Sequence, residues 1–180
     1  NYRDAVEMLE QMSERSLSAN KAYQRLCLNR AIEVFNEGRA EDALIYLDKS
    51  LSQAHDNVLT ATAYYMKAEA YYQMGEYDLS VQNLNAFYAS AGAAKSPYLA
   101  QADYTMGYNL FKQKKYSTAK SYFQRTIDKL DAKQSEDAVL RYADCLYMCK
   151  DFDSAIEQYG KIVEKQHPDA DYASYQTAMA

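Results

Sequence analysis

The sequence predicts an all-α solenoid, in which about ten helices stack as antiparallel pairs. Five similar segments carry a small residue at the same place, and successive small residues are 38, 37, 39 and 36 residues apart. A near-constant period of this length is typical of a repeat array, in which each unit buries its apolar face against its neighbours. The five Gly and two Pro are too few for a turn-rich β fold. The small residues are Ala5, Ala43, Ser80, Ala119 and Ala155.

Each small residue lies in an amphipathic segment that is predicted to form one helix of a pair. A bulky residue follows it at i+4, which puts both side chains on one helix face. The small side chain lets a neighbouring helix approach, and the bulky one fills the space beside it. In four of the five segments an aromatic residue also precedes the small one by three positions, at Tyr2, Tyr77, Tyr116 and Phe152. The bulky residues are Leu9, Leu47, Leu84, Phe123 and Tyr159.

A second amphipathic stretch precedes four of these segments and predicts the other helix of each pair. In one of them Tyr64, Ala68 and Tyr71 follow the 3.6-residue helical period. We therefore expect a two-helix unit that repeats along the chain. The four stretches are Lys21–Glu37, Val58–Met74, Tyr98–Lys114 and Ser135–Cys149.

The turn inside each pair is marked by glycine in two units. Gly38 and Gly75 stand where a helix ends, which is a favoured place for a residue in a left-handed conformation. By position, Lys114 and Cys149 take the equivalent place in the later units, so the turn is expected to tolerate side chains.

These residues resemble the tetratricopeptide repeat family, most clearly in residues 63–88, AYYMKAEAYYQMGEYDLSVQNLNAFY. The matching positions there are Tyr64, Ala68, Tyr71, Gly75, Tyr77 and Ser80. In the next unit they are Gly107, Leu110, Tyr116, Ala119 and Phe123. Lys67 departs from the Leu that the family prefers, and the period exceeds the usual length of about 34 residues. Sel1-like repeats have a similar period but need more glycine.

The resemblance covers nearly the whole chain and implies one right-handed superhelix over residues 1–180. Because the chain begins and ends inside helix pairs, we expect a piece of a longer, bacterial multi-repeat protein. The approximate units are 1–19 (partial), 20–56, 57–94, 95–132, 133–168 and 169–180 (partial).

Charge and composition disfavour some partners. The formal net charge is −5 and the isoelectric point is about 5.1, whereas nucleic acid binding needs a basic surface. No apolar stretch approaches the roughly 20 residues of a membrane span, so we expect no membrane insertion by this segment. The resemblance suggests a periplasmic or cell-envelope location, and leaves the cytoplasm open.

Residues that could carry chemistry are few. Cys145 and Cys149 lie at i and i+4, but a closed zinc site needs four ligands, and Cys27 is distant in sequence. His55 and His167 are predicted in turns between units. No catalytic triad pattern or glycine-rich phosphate loop is identifiable. We therefore expect no enzyme activity, no cofactor and no metal, with structural cysteines favoured over a thiol metal site.

The 19 tyrosines are the unusual part of the composition. Tyr64, Tyr71, Tyr77, Tyr116 and Tyr159 fall on packing positions and are predicted for the core. The resemblance implies that the first helix of each unit lines a concave groove, where tyrosine suits protein recognition. The competing explanation is packing against the facing helix. The candidate groove residues are Phe35, Tyr65, Glu69, Tyr72, Gln73, Tyr104, Tyr108, Phe111, Lys112, Asp144 and Tyr147.

These expectations favour a non-catalytic scaffold that binds a protein or peptide through an aromatic-rich groove. The family's carboxylate-clamp positions hold Leu28, Asn29 and Ile32 in one unit and Tyr65, Met66 and Glu69 in the next, so an apolar or aromatic ligand is expected. The alternative is a spacer or a self-association module that acts through the ends of the array. Any catalytic activity would then lie elsewhere in the parent chain.

Overall fold

The computed structural model describes residues 2–165 and 168–180, which form ten α-helices and no β-strand. The predictions of an all-α fold and of about ten helices are confirmed. His167, which was predicted in a turn, lies outside the described residues. The helices are α1 (Tyr2–Glu10), α2 (Leu17–Asn36), α3 (Ala40–Leu51), α4 (Asn57–Gln73), α5 (Tyr77–Ala89), α6 (Leu99–Lys112), α7 (Tyr116–Thr126), α8 (Ala132–Met148), α9 (Phe152–Glu164) and α10 (Ala170–Met179).

The helices belong to two compact units, Asn1–Leu99 and Ala100–Ala180. In the first unit each helix packs against the next one along the chain, and a 3-10 turn at Ala93–Lys95 packs against α4 and α5. In the second unit α8 packs against both α7 and α9, and α9 packs against α10. Neighbours in sequence are thus neighbours in space, as a repeat of helix pairs requires.

The small and bulky residues of the repeat form the core of both units. Ala43, Ser80, Ala119 and Ala155 are completely buried, and the bulky partners Leu47, Leu84, Phe123 and Tyr159 are at most 1% exposed. The buried Ser80 hydroxyl donates a hydrogen bond to the Ala68 carbonyl at 2.8 Å, so it is satisfied. This prediction is confirmed in four repeats, whereas Ala5 and Leu9 are only partly buried.

Two helices begin earlier than the apolar pattern predicts, because polar residues cap them. The Ser16 hydroxyl accepts a hydrogen bond from the Ala19 amide at 3.2 Å, so α2 starts at Leu17 rather than Lys21. The Asp131 carboxylate accepts one from the Gln134 amide at 2.9 Å, so α8 starts at Ala132. Both caps satisfy N-terminal amides that have no partner inside the helix.

The turn inside each pair has a left-handed residue. Gly38 and Gly75 both have φ of +80°, and Lys114 takes the same place with φ of 60°. In the last pair this residue is Lys150, with φ of 63°, and not Cys149, which was predicted. Cys149 is the C-cap of α8 with φ of −86°, and Lys150 stands five residues before Ala155, just as Gly38 stands five residues before Ala43.

Of the five tyrosines predicted for the core, only Tyr159 is fully buried. Tyr64 and Tyr71 on α4 are partly buried, and so are Tyr77 and Tyr116. Tyr77 and Tyr116 are the first residues of α5 and α7, and their rings lie 5.7 Å from Tyr72 and 5.3 Å from Phe111.

Candidate ligand-binding surface

In the first unit the predicted groove residue Tyr65 is only 8% exposed. Its ring stacks on Tyr98, with centroids 4.8 Å apart and planes 16° from parallel. The Phe87 ring meets it edge-on at 6.4 Å. Tyr65 therefore packs the unit and offers little surface to a ligand.

The other candidates of the first unit are more accessible. Tyr72 is partly buried, and its ring lies 5.7 Å from that of Tyr77. Phe35 and Glu69 are also partly buried. Gln73 is exposed and borders a shallow depression beside the turn between α2 and α3.

In the second unit Tyr104 and Tyr108 share one acceptor. The Tyr104 hydroxyl donates to Asp137 Oδ2 at 2.6 Å, and the Tyr108 hydroxyl donates to the same oxygen. Their rings meet edge to face at 5.0 Å, and both pack against Phe123, at 6.2 and 5.3 Å. Two candidate tyrosines of α6 are thus fixed against α7 and α8.

Arg141 connects this pair to a second carboxylate. Its Nη1 donates to Asp144 Oδ2 at 2.6 Å, and its Nε donates to the Tyr108 hydroxyl at 3.3 Å. The other oxygen of Asp144 accepts hydrogen bonds from the hydroxyls of Tyr159 at 2.8 Å and Tyr172 at 3.0 Å. One polar network therefore crosses α6, α8, α9 and α10. We call it the tyrosine network, and its members are Tyr104, Tyr108, Asp137, Arg141, Asp144, Tyr159 and Tyr172.

The environment keeps the phenols of this network protonated. Burial, followed by the hydrogen bond to Asp137, raises the pKa of Tyr108 to about 12. Burial raises the pKa of Tyr104, Tyr159 and Tyr172 as well. Burial by itself lowers the pKa of Arg141, but the nearby Tyr108 and Asp144 outweigh it, so the pKa is raised. At neutral pH the hydroxyls act as donors and the guanidinium is charged.

A pocket of about 120 Å³ opens beside the tyrosine network in the second unit. Three predicted groove residues, Phe111, Asp144 and Tyr147, lie in its wall, whereas Lys112 is exposed and is not part of the wall. Five of the eight lining side chains are aromatic, so the pocket suits one apolar or aromatic side chain. We call it the aromatic pocket, and it is lined by Phe111, Tyr116, Asp144, Tyr147, Met148, Tyr159, Tyr172 and Gln176.

The predicted groove did not include Asp137, Arg141, Tyr172 or Gln176. Asp137 and Arg141 lie seven and three residues before the predicted groove residue Asp144, so following the helical period of α8 toward its start would have found both. Tyr172 and Gln176 are also i and i+4, on α10, which was not included in the groove.

Cys27 and Cys145 are buried and Cys149 is exposed, and all three are free thiols. In residues 2–165 and 168–180 no three His, Cys, Asp or Glu side chains come together as metal ligands would. None of the helices described is both long enough and apolar enough to span a membrane.

Comparison with known proteins identifies the repeat. Two profiles of the tetratricopeptide repeat match the sequence, one over residues 110–179 and one over residues 62–90. A search of curated proteins gives no significant match.

Several solved structures share the fold. YrrB, described as a tetratricopeptide repeat protein with an unusual peptide-binding site, is 21% identical with a TM-score of 0.74, over 99% of this chain and 80% of its own. A tetratricopeptide repeat protein from Parabacteroides merdae is 18% identical with a TM-score of 0.63, over 98% of this chain and 71% of its own. MamA AMB-1 is 20% identical with a TM-score of 0.63, over 91% of this chain and 88% of its own. Identities this low establish the solenoid fold alone.

Proposed function

Because this chain belongs to the tetratricopeptide repeat family, we propose that it is a non-catalytic scaffold that binds a protein or peptide segment. The aromatic pocket of the second unit is the observation that carries this proposal. It is concave, it is lined mainly by aromatic side chains, and it has polar groups at its edge, as peptide-binding pockets have.

The tyrosine network supports the proposal because it holds the pocket wall in place before a ligand arrives. Tyr159 and Tyr172 reach the wall from two different helices, and both are tied to Asp144. A wall that is already ordered loses less conformational entropy when a ligand binds, and the affinity is higher for that reason.

The dimensions and charge of the pocket define the ligand. A volume of about 120 Å³ accepts one side chain, so the ligand inserts a single aromatic or large aliphatic anchor. Asp137, Arg141 and Asp144 carry a formal charge of −1 together, and the whole chain carries −5. Basic residues beside the anchor are therefore favoured during association. The description of YrrB as having a peptide-binding site is consistent with a peptide as the ligand of this chain.

Selection of random peptides displayed on phage tests the proposal. Enriched peptides would be synthesised with a fluorescent label, and their affinity would be measured by fluorescence anisotropy. We expect an aromatic or large aliphatic anchor flanked by Lys or Arg. Tyr172→Ser removes a pocket wall and should weaken binding by about tenfold or more.

Tyr175→Ser is the matched control, because it changes the same residue type on the same helix outside the pocket wall. Tyr175 is 61% exposed and Tyr172 is 40% exposed, so both variants should keep their helical circular dichroism. A second pair of variants introduces a negative charge instead. Met148→Asp places it in the pocket wall, and Met74→Asp, just after α4, is its control. If both members of each pair bind equally well, the pocket is not the binding surface.

Self-association is the second candidate function, because α10 exposes large apolar side chains. Tyr175 and Met179 are 61% and 57% exposed. Sedimentation velocity over a range of protein concentrations tests this alternative without any ligand. Self-association would be favoured if the apparent mass rises with protein concentration. The double variant Tyr175→Ser with Met179→Ser should then sediment as a monomer.

A further inference from the structure

A second pocket, of about 380 Å³, lies in the first unit where α4 begins. Three segments form its wall: the start of α2, the turn before α4, and the connection after α5. Pockets of this size take small ligands rather than whole helices or strands. We call it the basic pocket, and it is lined by Lys21, Arg25, His55, Asp56, Asn57, Val58, Leu59, Ala91, Gly92 and Lys95.

One wall of the basic pocket is fixed by a completely buried glutamine. Gln24 Oε1 accepts hydrogen bonds from the amides of His55 at 3.1 Å and Asp56 at 2.9 Å. Its Nε2 donates to the Asp56 carbonyl and to the Thr60 hydroxyl, both at 3.1 Å. These four hydrogen bonds of one buried amide hold the turn and the first residues of α4 against α2. The backbone that carries the His55 side chain is therefore rigid.

The opposite wall is fixed by a close backbone contact. A Cβ atom built on Gly92 would lie 1.9 Å from the Asn57 carbonyl oxygen, so only glycine fits there. This contact brings the 3-10 turn, and with it Lys95, to the start of α4.

The charges of the basic pocket are uncompensated. Within the residues that the structure describes, Lys21, Arg25 and Lys95 form no salt bridge. The one acidic residue of the wall, Asp56, uses its carboxylate to accept hydrogen bonds from the amides of Val58 at 2.9 Å and Leu59 at 3.1 Å. A local formal charge of +2 thus remains in a chain whose net charge is −5.

We propose that the basic pocket binds a small molecule that carries a phosphate or pyrophosphate group. Lys21, Arg25 and Lys95 are exposed and line one pocket from two segments, so each can donate a charge-assisted hydrogen bond to such an oxyanion. The amides of Val58 and Leu59 are already capped by Asp56, so the side chains and not the helix end provide the site. The acidic remainder of the chain repels long polyanions, which restricts the ligand to a small one.

Calorimetric titration of the 180-residue chain with inorganic pyrophosphate at low ionic strength tests the proposal. We expect saturable binding that weakens as sodium chloride is added, together with changes in the backbone amide resonances of His55 and Gly92. Arg25→Gln with Lys95→Gln should weaken binding by about tenfold or more. Titration with inorganic phosphate in a second experiment shows whether one phosphate group is sufficient.

Lys129→Gln with Lys133→Gln is the matched control, because it removes the same charge from exposed residues of the second unit. It should keep the affinity of the unmodified chain. If the Arg25/Lys95 variant loses its helical circular dichroism, Lys21→Gln on the exposed side of α2 provides the same comparison. The proposal is wrong if pyrophosphate causes no saturable change, or if the control loses as much affinity as the pocket variant. Peptide binding by the aromatic pocket is unaffected by either result.

Discussion

The ring of Phe123 lies directly against the backbone of Gly107. A Cβ atom on Gly107 would be 3.0 Å from Phe123 Cε1 and 3.1 Å from two further ring atoms. Phe123 cannot easily yield, because it is completely buried and the rings of Tyr104 and Tyr108 pack against it. The absent side chain at Gly107 thus determines how closely α6 approaches α7, and where the two tyrosines stand.

Gly107→Ala should destabilise the protein. Alanine improves the helix propensity of α6 by up to about 1 kcal/mol, but crowding a packed core costs roughly 1–3 kcal/mol, so we expect a net loss of about 1 kcal/mol. Urea unfolding measures this change in the free energy of unfolding.

Gly160→Ala is the control, because a Cβ atom there has nothing within 4 Å and the residue lies inside α9. It should stabilise the protein by roughly 0.5–1 kcal/mol. An equal gain from Gly107→Ala would contradict the contact with Phe123.

Replacing the left-handed lysines should stabilise the turns. Lys114 and Lys150 adopt φ of 60° and 63°, where the Cβ atom of an L-residue is crowded and glycine is not. We expect Lys114→Gly and Lys150→Gly each to raise the free energy of unfolding by about 0.5–1 kcal/mol, net of the extra freedom of glycine in the unfolded chain. Lys115→Gly, one residue after Lys114, is the control and should give no gain. A loss in both test variants would show that the lysine side chains stabilise these turns.

The repeat could be predicted from sequence because its signal is local. A small residue and a bulky one at i+4 define a buried helix face, and their recurrence at 36 to 39 residues defines the stack. Four of the five pairs are buried as expected, from Ala43 and Leu47 to Ala155 and Tyr159.

The site was less predictable because its contacts join distant residues. Tyr104 and Asp137 are 33 positions apart, and Tyr172 and Asp144 are 28 apart. The pattern also gives Tyr65 and Tyr72 the same predicted role, although Tyr98 covers the ring of Tyr65. Position within a repeat indicates which face a side chain is on, but the neighbouring helix decides how much of it remains accessible.

The three thiols should differ in reactivity. Burial raises the pKa of Cys145 to about 12 and that of Cys27 to about 11, whereas Cys149 is exposed at the end of α8. Because the thiolate is the reactive form, an aromatic disulfide reagent should modify one thiol rapidly in the native protein and the other two only after unfolding. Cys149→Ser should remove the rapid reaction. Rapid modification of Cys145 would contradict its burial beside Cys149.

Stability should decrease above about pH 10 because of Tyr108. In the unfolded chain a tyrosine loses its proton near pH 10, but in the native protein burial and Asp137 raise the pKa of Tyr108 to about 12. Between these values the unfolded state binds fewer protons than the native state, so raising the pH favours unfolding. The stabilising contribution is complete below about pH 10 and is lost as the pH rises toward 12.

Urea unfolding at about pH 9 and about pH 11 measures this loss. Tyr108→Phe cannot ionise at this position, so its free energy of unfolding should fall less between the two pH values than that of the unmodified chain. Tyr175→Phe removes a phenol from an exposed position on α10 and should fall as much as the unmodified chain. If Tyr108→Phe shows the same decrease as the control, Tyr108 does not keep its proton in the native protein, and its hydrogen bond to Asp137 does not hold in solution.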